Sequence, residues 1–451
     1  MNSSVATLRG NQSLDTALQD AETRYMAANP RSAALNADAR AHLPGGNTRT
    51  TVHFSPFPLY IEKGEGSRLT DADGHVYSDF INEYTAGVFG HSNPVVIEAV
   101  TNCLAGGMNF GAPTQHEVLL SGEIRKRFPA MELMRFCNSG TEANLLAVAT
   151  ARAATGKEAV LAFNGGYHGS LFYFSHGASP LNMPVPVVLS TFNNPQQAAR
   201  DIAANAARLA AVIVEPMQGG AGALPATAEF MSMLRRETER HGVLLILDEV
   251  MTSRVYHGGL QAHFGIKPDL MTLGKYIAGG LTIGAFGGRA DIMARFDPSR
   301  PDAFPHGGTF NNNVLAMAAG HAALTRLLTP EATARMNALG DSLRARLNAL
   351  AEQLSMPMVT TGFGSIFGIH FHRGRAANIG DLDAFEAGRE GQIAALKKLF
   401  HLDMFEAGIY ISRRIMGNLS LETSSAETDR LVGAVEEFLH NRGPLLRSAL
   451  G

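Results

Sequence analysis

The sequence predicts an α/β protein with a mostly parallel central sheet covered by helices, plus a smaller α+β domain built from both chain ends. Between about residues 133 and 288, short apolar runs alternate with helical segments. Continuous apolar runs are typical of parallel strands buried on both faces, and the helices between them supply the crossovers. From about residue 358 onward, strand and helix patterns mix without that alternation. At 451 residues, the chain is also too long for one ordinary core.

The individual elements are predicted from hydrophobic periodicity and from turn residues. The polar, alanine-rich residues 14–42 predict one or two helices, and strands follow at 59–62, 67–70 and 76–77. The alternating part predicts strands at 133–137, 158–163, 211–215, 243–248, 269–273 and 283–288, with helices at 141–154 and 228–241. A long helical stretch at 312–355 precedes predicted strands at 364–371, 409–411 and 418–421 and helices at 382–400 and 426–441.

These elements divide the chain into three segments. We expect residues 1–80 to form the N-terminal part of the small domain, residues 81–325 the large domain, and residues 326–451 the C-terminal part of the small domain. The change in pattern after the alternating strands and helices sets the second boundary.

Composition excludes several classes of function. Hydrophobic residues make up 45% of the chain and charged residues 18%, and the net charge is −3, so neither a nucleic-acid partner nor an acidic tail is expected. The two cysteines, Cys103 and Cys137, make a disulfide framework implausible and fit a reducing, cytoplasmic location. Residues 1–6 lack the pattern of a secretion signal, and no apolar run of about 18 residues predicts a membrane span. No metal site is expected.

A carboxylate and an amine follow two of the predicted strands. The apolar run 243–247 ends at Asp248, and Lys275 comes just beyond the strand 269–273. A carboxylate can keep a pyridine nitrogen protonated and a lysine can hold an aldehyde as a Schiff base, which are the two groups that pyridoxal 5'-phosphate (PLP) needs. Taken singly, Asp248 also fits a helix cap and Lys275 a surface lysine. Lys275 fits no Walker pattern.

Another strand end has the pattern of a phosphate site. The strand 133–137 is followed by Ser139, Gly140 and Thr141, which open a helix. Hydroxyl groups and free backbone N–H groups at the positive end of a helix dipole bind phosphate. Ordinary helix capping would use the same residue types. The sequence therefore leaves both interpretations open for this turn when it is taken alone.

Two more strand ends carry aromatic and polar residues. Glycines flank Tyr167 and His168 after the strand 158–163, so a ring can project from a tight loop and stack on a flat cofactor. Glu215 ends the strand 211–215, where its carboxylate can face a cofactor hydroxyl or a substrate. A glycine turn with a buried tyrosine and a plain strand-to-loop turn are the alternatives. Because ligands bind at the carboxyl ends of parallel strands, the combination favours one PLP site.

The motifs together match a known family. They are Asn138-Ser139-Gly140-Thr141-Glu142-Ala143, Tyr167-His168-Gly169, Glu215-Pro216, Leu247-Asp248-Glu249-Val250 and Gly274-Lys275. Over nearly its whole length the sequence resembles the class III aminotransferases of PLP fold type I. The resemblance implies a Schiff base at Lys275, an Asp248 partner for the pyridine nitrogen, a phosphate turn at residues 139–141 and a stacking ring at Tyr167. It also implies cofactor contacts from His168, Glu215 and Val250.

The segment Gly308-Thr309-Phe310 resembles a family segment whose threonine reaches the phosphate of the neighbouring subunit. The resemblance therefore implies a homodimer with shared active sites, in which Thr309 binds the partner's cofactor.

Within the family, the sequence resembles the β-amino-acid aminotransferases, including those acting on β-phenylalanine, and less closely the glutamate-1-semialdehyde aminomutases. In the first group an arginine at the place of Arg49 grips the substrate carboxylate, and a planar guanidinium suits that task. A second arginine corresponds to Arg413 or Arg414, and the spacing to the last strand favours Arg414. Surface arginines are the alternative for both. Tyr276, Tyr84 and Phe54 are candidate walls for an aromatic substrate.

The sequence thus predicts a PLP-dependent transaminase. It would move the amino group of a carboxylate-bearing amine, such as (S)-β-phenylalanine, to a keto acid such as 2-oxoglutarate or pyruvate. Lys275 would carry the proton as general base and acid. The alternatives are a glutamate-1-semialdehyde 2,1-aminomutase, a nucleotide- or sugar-phosphate-binding α/β protein without covalent catalysis, and a non-catalytic scaffold on the same fold.

Overall fold

The structure is a computed structural model that describes residues 13–174, 177–374, 376 and 378–450. Residues 1–6, for which no secretion signal is predicted, lie outside the described residues. Within the described part of the chain, no helix is both long and apolar enough to cross a membrane.

A seven-stranded sheet forms the centre of the large domain. Its strands lie in the order β4-β12-β11-β10-β7-β5-β6, and β12 is antiparallel to both of its neighbours while the other pairs are parallel. The predicted mostly parallel sheet is therefore confirmed. The strands are β4 (Leu133–Cys137), β5 (Ala159–Phe163), β6 (Val187–Ser190), β7 (Leu209–Val214), β10 (Leu244–Asp248), β11 (Leu270–Gly274) and β12 (Gly284–Gly288).

Both faces of this sheet are buried, as the continuous apolar runs predict. Alternate residues of one strand enter different cores: Leu245 and Leu247 pack with the helices Pro195–Asn205 and Ala228–Arg240, whereas Ile246 packs with the helix Gly140–Thr155. Because successive side chains of a strand point to opposite faces, the sheet lies between two helical layers.

The small domain joins the two ends of the chain. One of its sheets has the order β1-β2-β3-β15 and pairs β15 in parallel with β3, and the other has the order β13-β14-β16. A two-stranded ribbon, β8–β9, lies apart from both. The bounds are β1 (Ile61–Glu65), β2 (Arg68–Asp71), β3 (Val76–Asp79), β8 (Met217–Gln218), β9 (Leu224–Pro225), β13 (Val359–Phe363), β14 (Ile366–His370), β15 (Ile409–Tyr410) and β16 (Met416–Asn418).

Helices cover these sheets and connect the domains. In the described residues the longer helices are Leu14–Ala28, Pro30–Ala39, Pro94–Leu104, Gln115–Arg127, Gly140–Thr155, Pro195–Asn205, Ala228–Arg240, Val314–Arg326, Pro330–Gln353, Ile379–Glu386, Glu390–Glu406 and Ser425–Leu450. Gly259–Phe264 and Ala290–Met293 are short helices. The helix Leu14–Ala28 packs against Glu390–Glu406, so the N-terminal helices belong to the small domain. The residue bounds proposed for the domains stay a prediction.

Three details differ from the predicted elements. The helical stretch 312–355 is two helices, because the Thr329 hydroxyl accepts from the backbone N–H of Ala332 and Pro330 starts a new helix. The stretch 382–400 is likewise split between Ile379–Glu386 and Glu390–Glu406. Strand β6 was not predicted, since it has only four residues and follows two prolines.

Candidate active site

Five strand ends meet at one edge of the central sheet. Strands β4, β5, β7, β10 and β11 run in the same direction, so the loops that follow them share the carboxyl edge. These loops contain every residue that the sequence predicts for the phosphate turn, the stacking ring, the carboxylate and the lysine. The fold therefore brings those residues together from five separate parts of the chain.

Asp248 is buried at the end of β10, and donors fix the direction of its carboxylate. Its Oδ2 accepts a hydrogen bond from Asn144 Nδ2 at 2.7 Å and lies 2.8 Å from His168 Nδ1. Its Oδ1 accepts from the backbone N–H of Val250 at 3.1 Å. His168 is almost completely buried, so its ring acts on the site through Asp248 rather than from an open wall.

Asn144 and Thr272 belong to the site, although no sequence motif predicts a role for either residue. The Thr272 hydroxyl donates to Asn144 Oδ1 at 2.6 Å, which leaves the amide nitrogen of Asn144 facing Asp248. Thr272 could have been recognised from the sequence, because it is the one polar side chain in the apolar strand β11. Asn144 lies one helical turn after the phosphate turn, where its spacing alone does not distinguish it from a surface residue.

The carboxylate of Glu215 connects two loops of the site. Its Oε2 accepts from the backbone N–H of Tyr167 at 2.8 Å, and its Oε1 accepts from that of Gly219 at 3.1 Å. Burial raises the pKa of Glu215 to about 7, and the nearby Asp248 carboxylate acts in the same direction. Tyr167 is 43% exposed and its ring is nearly perpendicular to that of Tyr173, so the two rings are not stacked on each other.

The predicted phosphate turn is a crowded cradle of backbone. The Ser139 hydroxyl caps the helix Gly140–Thr155 by accepting from the N–H of Glu142 at 3.1 Å. A Cβ on Gly140 would lie 2.6 Å from Val250 Cγ1, and one on Gly169 would lie 2.4 Å from Thr141 Oγ1. Glycine is therefore required at both positions. The loops after β4, β5 and β10 approach closely around this turn.

Lys275 follows β11 in a strained backbone conformation. Its φ is +56°, a region that costs a residue with a side chain about 1–3 kcal/mol. Burial lowers the pKa of Lys275, while the charges of Asp248 and Glu215 oppose that change and the charge of Arg254 reinforces it. A lowered pKa provides more of the neutral amine that attacks a carbonyl carbon. The backbone of Gly274 packs against Gly140, which places the lysine next to the phosphate turn.

These residues fit PLP by their chemistry. The site combines a cradle of glycines at a helix N-terminus, a partly exposed aromatic ring, an oriented carboxylate and a lysine with a lowered pKa. Phosphate, pyridine ring, ring nitrogen and aldehyde are the matching parts of the cofactor.

Arg49 lines a cavity of about 340 Å³ beside the small domain. Its guanidinium carbon lies 5.5 Å from the centre of the Tyr84 ring. Burial raises the pKa of Tyr84, and the positive charges of Arg49, Arg414 and Arg413 oppose that rise. All three guanidinium groups therefore lie within electrostatic reach of one phenol. Arg413 lines the cavity, so the assignment of the second arginine to Arg414 stays a prediction.

One wall of this cavity approaches the loop that follows Lys275. The Glu83 carboxylate at its wall lies 3.9 Å from where a Cβ on Gly280 would be, five residues after Lys275. Phe54 and Tyr84 line the cavity, and their contact with an aromatic substrate stays a prediction. The expectation for Tyr276 is wrong, because its ring is fully buried in the core and its hydroxyl donates to Ser253 Oγ at 3.0 Å.

Thr309 lies in a segment that lines a groove at the protein surface. It is exposed on this groove of about 890 Å³, which residues 109–113, 134–136 and 306–308, among others, also line. Asn311, two residues further on, accepts a hydrogen bond from Asn138 Nδ2 at 3.0 Å. The role of Thr309 toward a neighbouring subunit stays a prediction.

Comparison with known proteins identifies the family. The sequence model of "Aminotransferase class-III" matches residues 50–411. The chain belongs to the class III aminotransferases. It is 45% identical over 437 residues to an uncharacterized aminotransferase of Schizosaccharomyces pombe, covering 96% of this chain and 98% of that protein. It is also 45% identical over 437 residues to the β-phenylalanine transaminase of Variovorax paradoxus, covering 97% and 99% of the two proteins.

The fold agrees with this family. The crystal structure of the β-phenylalanine aminotransferase from Variovorax paradoxus superposes with a TM-score of 0.93 at 44% identity, covering 96% of this chain and 99% of that one. The glutamate-1-semialdehyde 2,1-aminomutase of Desulforapulum autotrophicum is 37% identical over 400 residues, covering 85% and 91%. The protein is therefore a PLP-dependent aminotransferase of fold type I. This membership decides against a non-covalent phosphate-binding protein and against a non-catalytic scaffold.

Proposed function

We propose that this aminotransferase moves the amino group of a β-amino acid, such as (S)-β-phenylalanine, to a keto acid such as 2-oxoglutarate or pyruvate. The observation that carries the proposal is the position of Arg49, whose guanidinium lies over Tyr84 at the wall of a cavity. A guanidinium binds a carboxylate through two parallel hydrogen bonds. Phe54, Phe405 and Tyr410 supply aromatic surface at the same cavity. The 45% identity to a β-phenylalanine transaminase supports this choice of donor.

Each residue of the site has a task in this reaction. Bound PLP supplies an electron sink that stabilises negative charge at the substrate carbon. Lys275 would hold the cofactor through Nζ, and the free Nζ would move a proton away from the substrate carbon and back. The carboxylate of Asp248 keeps a proton on the ring nitrogen, and Asn144 and His168 keep that carboxylate in place.

The attachment of the cofactor to Lys275 is tested by borohydride reduction followed by peptide mass mapping. We expect the reduced pyridoxyl group on Lys275 and not on Lys267, an exposed lysine eight residues earlier that pairs with Glu132. An adduct on another lysine, or no adduct on protein supplied with PLP, contradicts the assignment.

A panel of amino donors tests the proposed substrate. With 2-oxoglutarate or pyruvate as acceptor, we expect β-phenylalanine and 3-aminobutanoate to react faster than 1-phenylethylamine, which lacks the carboxylate. Replacing Arg49 by Ala should raise KM for β-phenylalanine at least about tenfold, because a charge-assisted hydrogen bond contributes about 1.5–3 kcal/mol. Preference for the carboxylate-free amine, or an unchanged KM, overturns the proposal.

One alternative keeps the cofactor and changes the reaction. The 37% identity to a glutamate-1-semialdehyde 2,1-aminomutase favours an internal transfer of the amino group. Such an enzyme needs no external acceptor. Turnover of glutamate-1-semialdehyde without a keto acid, combined with no turnover of β-phenylalanine with one, would establish the aminomutase instead.

We further propose that the protein is a cytoplasmic homodimer with shared active sites. Apolar side chains around the groove of Thr309 are exposed, notably Val118 (71%), Phe310 (57%) and Met108 (52%). Exposed apolar patches of this kind are typical of subunit interfaces. The two cysteines form no disulfide with each other, which fits a reducing compartment.

A further inference from the structure

A run of left-handed backbone forms part of the cavity beside Arg49. The four consecutive residues Asn82, Glu83, Tyr84 and Thr85 have φ values of +40°, +54°, +54° and +82°. No glycine relieves this conformation, which costs a residue with a side chain about 1–2 kcal/mol. Such a run persists only where its surroundings hold it. We call residues 82–85 the left-handed turn.

A buried cation holds one end of the left-handed turn. Arg254 is completely buried, and its Nη1 donates to the carbonyl of Thr85 at 3.0 Å and to Asn418 Oδ1 at 2.8 Å. Its Nη2 donates to the carbonyl of Leu419, and its Nε has no hydrogen-bond partner. Every hydrogen-bond partner recorded for it in the described residues is uncharged. A buried guanidinium without a carboxylate is costly, so its retention calls for a role.

The side chain of Asn418 holds the other end. Its Nδ2 donates to the carbonyl of Ile81 at 2.7 Å, just before the left-handed turn. Asn82 Nδ2 in turn donates to the carbonyl of Asn418 at 2.7 Å. Both asparagines are almost fully buried. Arg254 and Asn418 therefore grip the left-handed turn from both sides through one continuous hydrogen-bond network.

The outer side of the turn contacts the segment that contains Arg49. The Tyr84 hydroxyl donates to the carbonyl of Thr51 at 2.6 Å, and the Arg49 guanidinium lies over the Tyr84 ring. The position of Arg49 thus depends on Tyr84, and the position of Tyr84 depends on the turn.

We propose that Arg254 and Asn418, which we call the clamp, are positioning residues for the carboxylate of the substrate. They hold the left-handed turn so that Tyr84 fixes the segment of Arg49 at the cavity. Neither residue touches the substrate. The inference rests on the proposed function, because it takes Arg49 to be the group that binds the carboxylate.

Replacing Asn418 by Ala tests the proposal. It removes the acceptor for Arg254 and the donor to Ile81 while leaving Arg49 and Tyr84 intact. We expect KM for β-phenylalanine to rise about ten- to hundredfold with kcat nearly unchanged, because a displacement of about 1 Å in a positioning contact has effects of this size. The inhibition constant of 1-phenylethylamine, which shares the ring and the amine, should stay the same. An equal loss for both ligands, or no loss, overturns the proposal.

The matched control is Asn29→Ala. Asn29 is equally buried and its amide donates to the carbonyl of Tyr25 at 2.7 Å, in the N-terminal helical region. We expect this variant to leave both constants unchanged. If Asn418→Ala does not fold, Arg254→Lys keeps the buried charge but loses the forked geometry, and the same two constants are measured on it.

A double-mutant cycle tests the route through Tyr84. Tyr84→Phe removes the hydrogen bond to Thr51 and should itself raise KM for β-phenylalanine. If the clamp acts through Tyr84, adding Asn418→Ala should produce clearly less than the sum of the two effects, because coupled residues are not additive. Additive effects overturn this route.

A measurement that does not depend on catalysis tests the positioning role of Arg254 and Asn418 separately from the proposed substrate. Hydrogen exchange of the backbone amides at residues 49–54 and 82–85 should be faster in Asn418→Ala than in the unmodified protein, and unchanged in Asn29→Ala. If the unmodified enzyme does not use β-phenylalanine but exchange responds as expected, the substrate is wrong and the clamp is right. Unchanged exchange in Asn418→Ala overturns the clamp.

Discussion

At the scale of single residues, the orientation of Asp248 is the central feature of the site. Two side chains, Asn144 and His168, converge on the same carboxylate oxygen at 2.7 and 2.8 Å. The Thr272 hydroxyl binds the amide oxygen of Asn144, so the amide nitrogen of Asn144 is the end that faces the carboxylate. A buried polar network specifies geometry well when each member is satisfied. Preparing the carboxylate in this way avoids reorganisation when the ring nitrogen binds.

Replacing Asn144 by Ala should therefore impair the cofactor site. It removes one donor from Asp248 Oδ2, and a hydrogen bond to a charged group contributes about 1.5–3 kcal/mol. We expect kcat/KM to fall at least about tenfold and the dissociation constant of PLP to rise by a similar factor. PLP binding is measured by absorbance during titration of the apoenzyme. Asn29→Ala serves as the control, and an unchanged affinity in Asn144→Ala would refute a role for this donor.

His91 provides a pH-dependent contribution to stability. Its Nε2 lies 2.8 Å from Asp79 and its Nδ1 3.4 Å from Glu83, and these hydrogen bonds raise the pKa of His91 to about 9. Because the pKa is higher in the folded than in the unfolded state, the stabilisation is complete below about pH 6.5 and is lost as the pH rises through about 9.

We expect His91→Gln to lower the midpoint of thermal unfolding relative to the unmodified protein at pH 6 and to have little effect at pH 9.5. Partial solvent screening reduces the contribution at low pH to about 1–2 kcal/mol. Thermal unfolding of both proteins at the two pH values measures it. A difference between the two proteins that is the same at both pH values, or larger at pH 9.5, contradicts the charged pair.

At the scale of elements, the site depends on how closely its loops approach. The loop after β5 reaches the start of the helix Gly140–Thr155, where Gly169 faces Thr141. Gly169→Ala adds strain at a φ of +108° and a Cβ 2.4 Å from Thr141 Oγ1. We expect it to push Thr141 out of the phosphate turn and to weaken PLP binding at least about tenfold.

Gly156→Ala is the matched control for this change. Gly156 caps the same helix with a φ of +69°, and a Cβ there would meet no atom within 4 Å. Both variants carry the backbone strain of about 1 kcal/mol, whereas Gly169→Ala alone crowds the site. Equal PLP affinities of the two variants, measured by the same titration, would show that the close approach does not matter.

The sequence predicted the strand ends well for a physical reason. Parallel strands that are buried on both faces must be apolar throughout, so the points where Asp248, Glu215 and Ser139 interrupt the pattern are visible without a structure. The common direction of these strands then places the loops at one edge. The chemistry of the cofactor site could be predicted for that reason.

The features that could not be predicted from the sequence depend on tertiary contacts. The left-handed turn contains no glycine, and the contacts from Arg254 and Asn418 that hold it come from distant parts of the chain, so no local signal marks it. Tyr276 follows the catalytic lysine and resembles a pocket residue, yet its ring points into the core. Contacts between residues more than 150 positions apart hold the left-handed turn.

At the scale of the whole molecule, the two chain ends meet to build the cavity proposed for the substrate. The parallel pairing of β15 with β3 brings the segment of Arg413 to the same cavity wall as Arg49, although the two arginines are more than 350 positions apart. The buried guanidinium of Arg442 pairs with Asp403, and Arg24 lies 3.5 Å from the same carboxylate. These ion pairs tie the N-terminal helix to the last helix. The shape of this cavity therefore depends on the folding of both ends.

The exposed groove beside Thr309 gives a prediction about assembly. Val118→Arg places a charge in the most exposed part of the apolar surface and should weaken a dimer at least about a hundredfold, because charge at an interface core is strongly unfavourable. Sedimentation over a range of concentrations measures this. Val76→Arg, the same change at an exposed valine in the small-domain sheet, should leave assembly unchanged. A monomeric unmodified protein, or a Val118→Arg dimer of equal strength, contradicts the proposed interface.

Sharing of the active sites is a separate claim, and subunit complementation tests it. Thr309→Val and Lys275→Ala chains should each have little activity alone. If Thr309 serves the partner's cofactor, a hybrid of the two chains has one complete site: the Lys275 of the Thr309→Val chain together with the Thr309 of the Lys275→Ala chain. When equal amounts of the two chains exchange at random, about half of the dimers are hybrids, and each hybrid has one working site of two. Mixing should then restore about a quarter of the unmodified activity per chain. If Thr309 serves its own chain, each hybrid has no complete site and mixing restores nothing.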